Sequence, residues 1–150
     1  MKRWPKTERG AEVNGRIVDD STFRLLLDLE TRKAQRLRYP VAVVCLGLDE
    51  SNATPETLAR MAAWAIRGTD SVAWRDSYSV VVLLIDAEAG NLPVIVERLT
   101  SALDSAWSAG GACYPDSGAT PEKLVDQATA MQTRAKQDGG RRLYVAPYLS

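Results

Sequence analysis

Histidine is absent from the 150 residues of this chain, and cysteine occurs only twice. Without histidine the chain cannot form a Ser-His-Asp triad, a Cys-His dyad or any histidine-ligated metal site. The two cysteines, Cys45 and Cys113, lie far apart in apolar stretches. This placement favours two buried, reduced thiols over a disulfide. A chain of this length buries enough surface to fold without a metal or disulfide.

An excess of one charge and long apolar runs are also missing. The 19 basic and 19 acidic residues give a formal net charge of zero. Because nucleic-acid and anionic-membrane binders need a surplus of positive charge, we expect no nucleic-acid partner. No run approaches the roughly 18 apolar residues of a membrane helix, and residues 1–5 (MKRWP) lead into no apolar signal core. We therefore expect no membrane insertion and a cytoplasmic location.

What is present is typical of a globular domain, with 45% hydrophobic and 25% charged residues. Residues 1–19 are polar and rich in Lys, Arg, Glu and Gly. They predict an extended or partly ordered N-terminal arm, with the remnant of a linker or helix from a longer architecture as the alternative. Residues 20–150 are predicted to form one domain.

Hydrophobic spacing predicts alternating helices and strands from Asp20 onward. Asp20 or Ser21 can cap a first helix, which Pro40 ends. Thr-Pro-Glu sequences at 54–56 and 120–122 predict two further helix starts. The other predicted elements are a strand over 41–48, a hairpin of 72–74 and 78–85 around the polar residues 75–77, a helix from 92 to 106, and strands over 108–114 and 143–145. This order predicts an α/β (α+β) domain with a mixed central sheet flanked by helices.

Four stretches are spaced as in a known family. They are Phe23-x-x-x-Leu27-x-x-Glu30-x-x-Lys33-Ala34-x-Arg36-x-x-x-Pro40, Leu46-Gly47-Leu48-Asp49, Arg67-x-x-Asp70-x-Val72-Ala73, and Leu124-Val-x-x-Ala128-x-x-Met-x-x-x-Ala135-Lys136-x-x-Gly139. In their joint order, over about residues 20–145, they resemble the GGDEF domain, the diguanylate cyclase fold of bacterial signalling. The resemblance implies a ferredoxin-like nucleotide-cyclase fold. Members of the family join two GTP molecules into cyclic di-GMP with two metal ions.

The residues that would carry this catalysis differ here. The family's first metal carboxylate falls on Gly47, and its signature pentapeptide falls on residues 76–80, Asp76-Ser77-Tyr78-Ser79-Val80. Tyr78 then stands at the second metal-ligand position and Ser79 at the following Glu. A divalent cation on a triphosphate needs hard anionic oxygen, which Gly47 and Tyr78 do not supply at neutral pH. An alignment shifted by two residues places Asp76 at the metal position, but Gly47 still lacks its carboxylate. We expect no enzyme activity, no metal and no cofactor.

Little else of the family's triphosphate site remains. Lys136 matches the phosphate-binding lysine, but the arginine expected four residues later is Gly140. Another nucleotide in the altered cleft, in contact with Asp49 and Lys136, is a further alternative. The remaining acids, Asp49-Glu50, Asp19-Asp20 and Asp86, are interpreted as solvated loop acids because they lack the spacing of a metal loop.

The resemblance also implies a regulatory site, separate from the catalytic residues. Many members bind cyclic di-GMP at an inhibitory R-x-x-D placed five residues before the signature, with an arginine from the next helix. Arg67 and Asp70 have this spacing, and Arg98 lies where the second arginine is expected. Arginine chelates a guanine edge or phosphate with two donors, and Asp accepts from guanine N–H groups. The alternative is an ordinary helix end, at which Arg67 complements the dipole and Asp70 bonds turn amides.

The second hypothesis for function is a protein-interaction or homodimerisation module that binds no nucleotide. Its candidate contact residues are aromatic: Trp4, Trp64, Trp74, Trp107 and Tyr78. Trp74 and Tyr78 would turn a wet catalytic cleft into an apolar contact surface. Simple packing of the tryptophans in the core is the alternative. Under both hypotheses the chain is a catalytically inactive GGDEF-like signalling domain.

Overall fold

The computed structural model describes residues 15–48, 54–103, 106–118 and 120–147. The elements in chain order are β1 (Arg16–Val18), α1 (Asp20–Leu37), β2 (Val41–Leu48), α2 (Pro55–Ala65), β3 (Ser71–Asp76), β4 (Ser79–Ile85), a short 3-10 turn (Ala89–Asn91), α3 (Leu92–Thr100), β5 (Trp107–Tyr114), α4 (Pro121–Gln137) and β6 (Leu143–Val145). The strands form one sheet in the order β1-β3-β4-β2-β5-β6. The outer pairs β1–β3 and β5–β6 are parallel and the inner pairs are antiparallel. The predicted mixed sheet is confirmed.

The central strand β2 is buried along its whole length, as its continuous apolar sequence predicts. Alternate residues of β2 contribute to two separate cores. Val44 packs in the core that α2 and α3 cover, whereas Val43 packs in the core that α1 and α4 cover. Each such valine contributes about 1.5–3 kcal/mol by leaving water. The sheet is therefore fixed between two helical layers, and its strand ends become the places where loops and clefts form.

The helix starts follow local capping chemistry. The hydroxyls of Thr54 and Thr120 accept the N–H groups of residues 57 and 123, as the two Thr-Pro-Glu sequences predict. The prediction of Asp20 or Ser21 as the cap of α1 was wrong by one residue or two. Asp19 is the cap, because its Oδ1 accepts the N–H of Thr22 at 2.8 Å. Among the described residues, no helix has the length and apolarity that would let it span a membrane.

Two boundaries differ from those that the sequence predicts. Residues 16–18, assigned to the N-terminal arm, form β1 and pair with β3, while residues 1–14 of the arm lie outside the described residues. The helix predicted over 92–106 ends at Thr100. The Thr100 hydroxyl donates to the Val96 carbonyl at 2.8 Å, and the Leu103 N–H closes a turn onto the Thr100 carbonyl. Leu103 still packs against the core, which explains why the helical spacing of apolar residues continues in the sequence beyond Thr100.

Both cysteines are buried free thiols, as predicted. Cys45 lies in the core beneath α1 and α4, whereas Cys113 lies in the core beneath α2 and α3. Because the two side chains point to opposite faces of the sheet, their Cβ vectors diverge and no disulfide can join them. Burial raises the pKa of the Cys45 thiol and raises that of Cys113 to about 11.

Candidate functional site

Two clefts lie at opposite ends of β4. The hairpin cleft, of about 490 Å³, is formed by Gly47, Arg75, the turn residues 76–79, Gln132 and Lys136. The arginine cleft, of about 380 Å³, is formed by Arg67, Asp70, Asp86, Asn91, Ile95 and Arg98. Seven strand residues at about 3.4 Å each separate them by roughly 20 Å. The three residues of the predicted R-x-x-D site therefore share one cleft, away from residues 76–80.

The Asp70 carboxylate is buried in the arginine cleft and fully engaged in hydrogen bonds. Its side chain is only 2% exposed. Oδ1 accepts the N–H of Ile85 at 2.9 Å, and Oδ2 accepts the N–H of Arg67 at 3.0 Å and its Nε at 3.5 Å. The carboxylate thus ties the end of α2 to the end of β4. Asp70 bonds backbone amides, as the helix-end alternative predicts, and it also contacts the Arg67 side chain.

The guanidinium of Arg67 is held in place but remains accessible. Its side chain is 57% exposed, and besides Asp70 its Nη2 donates to the carbonyl of Ile85. Arg98 approaches from the last turn of α3 and lines the same cleft. Among the described residues, no hydrogen bond or ion pair engages the Arg98 side chain. Two cationic forks therefore converge, a geometry suited to phosphate or a guanine edge.

A carboxylate that the motif did not identify also faces this cleft. Asp86 follows β4 directly and has a φ of 58°, a left-handed conformation that Asp tolerates better than most residues. It is exposed and lines the arginine cleft, and none of the described residues pairs with its carboxylate. The sequence pattern assigns it to solvated loop acids, since no local spacing connects it to Arg67. Its place depends on the end of β4 meeting the end of α2.

In the hairpin cleft, a glutamine occupies the space beside Gly47. A Cβ on Gly47 would lie 2.5 Å from Nε2 of Gln132. That Nε2 donates to the Ser108 hydroxyl at 2.8 Å, so the amide is held in position. Gly47 pairs with Ser79 on one side and Ser108 on the other. A side chain at position 47, which the sequence resemblance aligns with a metal carboxylate of the GGDEF family, would therefore meet a neutral amide.

Asp76, the one acidic residue lining the described hairpin cleft, is hydrogen-bonded within the turn at the hairpin tip. Asp76 Oδ1 accepts the Tyr78 N–H at 2.9 Å, and Oδ2 lies 3.9 Å from Nη1 of Arg75. Partial burial works to raise the pKa of Asp76, but the donors of the turn outweigh it, and the pKa lies below its usual range. The ring of Tyr78 is 52% exposed. Ser77 completes the turn, Lys136 also lines the cleft, and Asp49 lies outside the described residues.

This donor set does not fit the two-metal centre of a cyclase. Asp76 is the single carboxylate that lines the described hairpin cleft. Over residues 15–48, 54–103, 106–118 and 120–147, no group of three or more His, Cys, Asp or Glu side chains could hold a metal ion. Divalent cations on phosphates need several hard oxygen ligands, which Gly47 and Tyr78 do not supply.

The predicted aromatic contact residues fall into different environments. Trp74 and Tyr78 are about half exposed near the hairpin tip, and Trp64 is 49% exposed on α2. Trp107 is only partly accessible and packs against the core, as the packing alternative predicts. Trp4 lies outside the described residues.

No protein-family profile matches the chain, and no curated protein matches it. Solved structures do match. The GGDEF domain of TpbB (YfiN) from Pseudomonas aeruginosa has a TM-score of 0.79 at 19% identity, over 88% of this chain and 98% of that one. The GGDEF domain of DgcB from Caulobacter crescentus, in complex with c-di-GMP, has a TM-score of 0.70 at 14% identity, over 97% and 96%. Diguanylate cyclase SiaD of P. aeruginosa, in complex with its activator SiaC, has a TM-score of 0.73 at 18% identity, over 85% and 58%. The chain has the fold of a GGDEF domain.

Proposed function

We propose that this chain is a catalytically inactive GGDEF-like signalling domain that binds cyclic di-GMP in the arginine cleft. The observation that carries the proposal is the convergence of Arg67 and Arg98 from two different helix ends on one cleft. The cyclic di-GMP complex of DgcB, which has the same fold, supports the choice of ligand.

The cleft offers the groups that a cyclic dinucleotide of guanine needs. The ligand carries anionic phosphates and guanine edges that present both acceptors and N–H donors. Arg67 and Arg98 supply paired donors for a phosphate or for the acceptor side of guanine. Asp86 supplies an exposed carboxylate for the guanine N–H groups, the role that the R-x-x-D spacing assigns to Asp70. Asp70 itself keeps Arg67 oriented through its bonds to the Arg67 backbone and side chain.

The hairpin cleft supports the inactive part of the proposal. Gln132 fills the space that a carboxylate at position 47 would need, and the Asp76 carboxylate is engaged by its own turn. Lys136 alone does not make a triphosphate site. With these residues we expect no turnover of GTP.

Isothermal titration calorimetry with cyclic di-GMP, and with GTP as the comparison ligand, tests the proposal. We expect micromolar or tighter binding of cyclic di-GMP that Arg67→Ala and Arg98→Ala each weaken by at least about tenfold, the loss of one charge-assisted bond. Arg75→Ala is the matched control, because it removes an arginine from the other cleft. Binding that Arg75→Ala abolishes, or no binding at all, overturns the proposal.

A protein contact at the hairpin tip is the second candidate function. The half-exposed Trp74 and Tyr78 favour it, since exposed aromatic side chains are typical anchors of interfaces. The activator complex of SiaD shows that a cyclase of this fold takes a protein partner. This function predicts self-association or partner capture that Trp74→Arg or Tyr78→Asp disrupts and that nucleotide does not change. Sedimentation velocity over a range of concentrations measures the self-association.

A further inference from the structure

A groove between α2 and α3 adjoins the arginine cleft. It has a volume of about 460 Å³ and is lined by Met61, Trp64, Ala65, Arg98, Leu99, Ser101 and Ala102. Arg98 lines the arginine cleft as well. A further depression lined by Trp64, Arg67 and Arg98 joins the two. One aromatic ring and two guanidinium groups therefore share a continuous surface.

The groove offers an aromatic side chain and an apolar floor against which a planar ring can pack. Trp64 lies one residue before the end of α2, with about half of its side chain exposed. The floor beneath is apolar, because Leu99 is buried in the core and Ala65 packs against that core. The cationic residues are Arg98, which lines the groove, and Arg67, which joins Arg98 in the adjoining depression. A ligand that suits this arrangement has an aromatic face for the floor and an anionic group for the arginines.

We propose that Trp64 stacks against a guanine base of the bound cyclic dinucleotide while Arg67 and Arg98 hold its phosphates. This inference rests on the function proposed above and assigns a base-binding residue to the same site. Every base has a π-face, so stacking on tryptophan adds affinity without reading the base edge. Arg98 lines the same groove, so its guanidinium can add a cation–π contribution to the binding of the base. Selectivity for guanine comes from the exposed Asp86 carboxylate, which can accept the guanine N–H groups.

Charge decides between this occupant and a second copy of the chain. A symmetric dimer places the same patch of both copies face to face. The basic patch around Arg67 and Arg98 of one copy would then face the same basic patch of the other copy, and like charges brought together at an interface cost binding energy. An anionic ligand neutralises the same two arginines. The groove therefore favours the nucleotide over self-association.

Calorimetric titration of cyclic di-GMP into Trp64→Ala and Trp64→Phe proteins tests the stacking. We expect Trp64→Ala to weaken binding about 5- to 100-fold, the range of one base–aromatic stack, and Trp64→Phe to retain most of the affinity. Trp74→Ala is the matched control, because it removes an equally exposed tryptophan that lines neither the arginine cleft nor the groove, so it should leave affinity unchanged. Thermal melts of each protein verify that the half-exposed positions tolerate the change.

The outcomes separate this inference from the function on which it rests. If Arg67→Ala loses binding but Trp64→Ala binds as the unchanged protein does, the stacking is refuted and the receptor function stands. If the unchanged protein does not bind cyclic di-GMP, both are refuted. If Trp64→Ala abolishes a dimer seen by sedimentation while nucleotide affinity stays the same, the groove belongs to a second copy and the stacking is again refuted.

Discussion

Substitution of Asp70 tests whether its carboxylate holds Arg67 in position or contacts a ligand. Its buried carboxylate accepts two backbone N–H groups, those of Arg67 and Ile85, from two different elements. Asp70→Ala leaves both part-buried donors without their partner, at about 1–3 kcal/mol each, so we expect a loss of about 2–5 kcal/mol of unfolding free energy. Asp70→Asn keeps one acceptor oxygen and should lose about half as much.

Urea denaturation followed by circular dichroism measures this loss. With a typical slope of about 1–3 kcal/mol per molar urea, Asp70→Ala should lower the midpoint by about 1–2 M. Asp86→Asn is the matched control, since Asn also tolerates the left-handed backbone at that position and the side chain is exposed. A change below about 0.5 kcal/mol for Asp70→Ala, the size expected for an ordinary surface site, would refute the positioning role.

Three further changes test the packing and the electrostatics. Gly110→Ala should cost about 3 kcal/mol or more in urea denaturation, because its Cβ would meet the backbone of α4, whereas Gly90→Ala meets nothing within 4 Å and should be near neutral. Gly47→Ala should cost about 1 kcal/mol by displacing the Gln132 amide, and the cost should vanish in a Gln132→Ala background in a double-mutant cycle. Burial raises the pKa of Tyr39 from 10 to about 12, so the folded state favours the neutral phenol. That contribution is intact below pH 10 and is lost as the pH rises through 12; unfolding free energies measured across this window should fall less in Tyr39→Phe.

The central layer of the fold is readable from the sequence because its signals are local. Residues 41–48 are continuously apolar, with β-branched side chains at Val41, Val43 and Val44, and the structure buries every one of them in β2. Thr54 and Thr120 cap helices because a Thr-Pro-Glu start needs only neighbouring residues. In contrast, β1 has three residues with little burial, and it is a strand only because β3 lies beside it. No local pattern can predict such a pairing.

The candidate site divides in the same way. The resemblance to the GGDEF family assigns Arg67, Asp70 and Arg98 to one site, and the structure brings all three to one cleft. The sequence pattern does not predict that the Asp70 carboxylate accepts the Ile85 N–H, because Ile85 lies 15 residues away along the chain. The sequence did not predict Asp86 and Trp64 as ligand contacts, because their positions depend on how β4 and α3 pack against α2.

The most direct test of the receptor account is a ¹⁵N NMR titration of the chain with cyclic di-GMP that follows the backbone amides and the arginine Nε–H groups. The account predicts that the largest changes occur at the Nε–H signals of Arg67 and Arg98 and at the amide of Asp86, with Arg75 and Gly47 unaffected. Changes centred on Gly47, Arg75 and Tyr78 would place the ligand in the hairpin cleft and contradict the account. An unchanged spectrum at saturating ligand would contradict it equally.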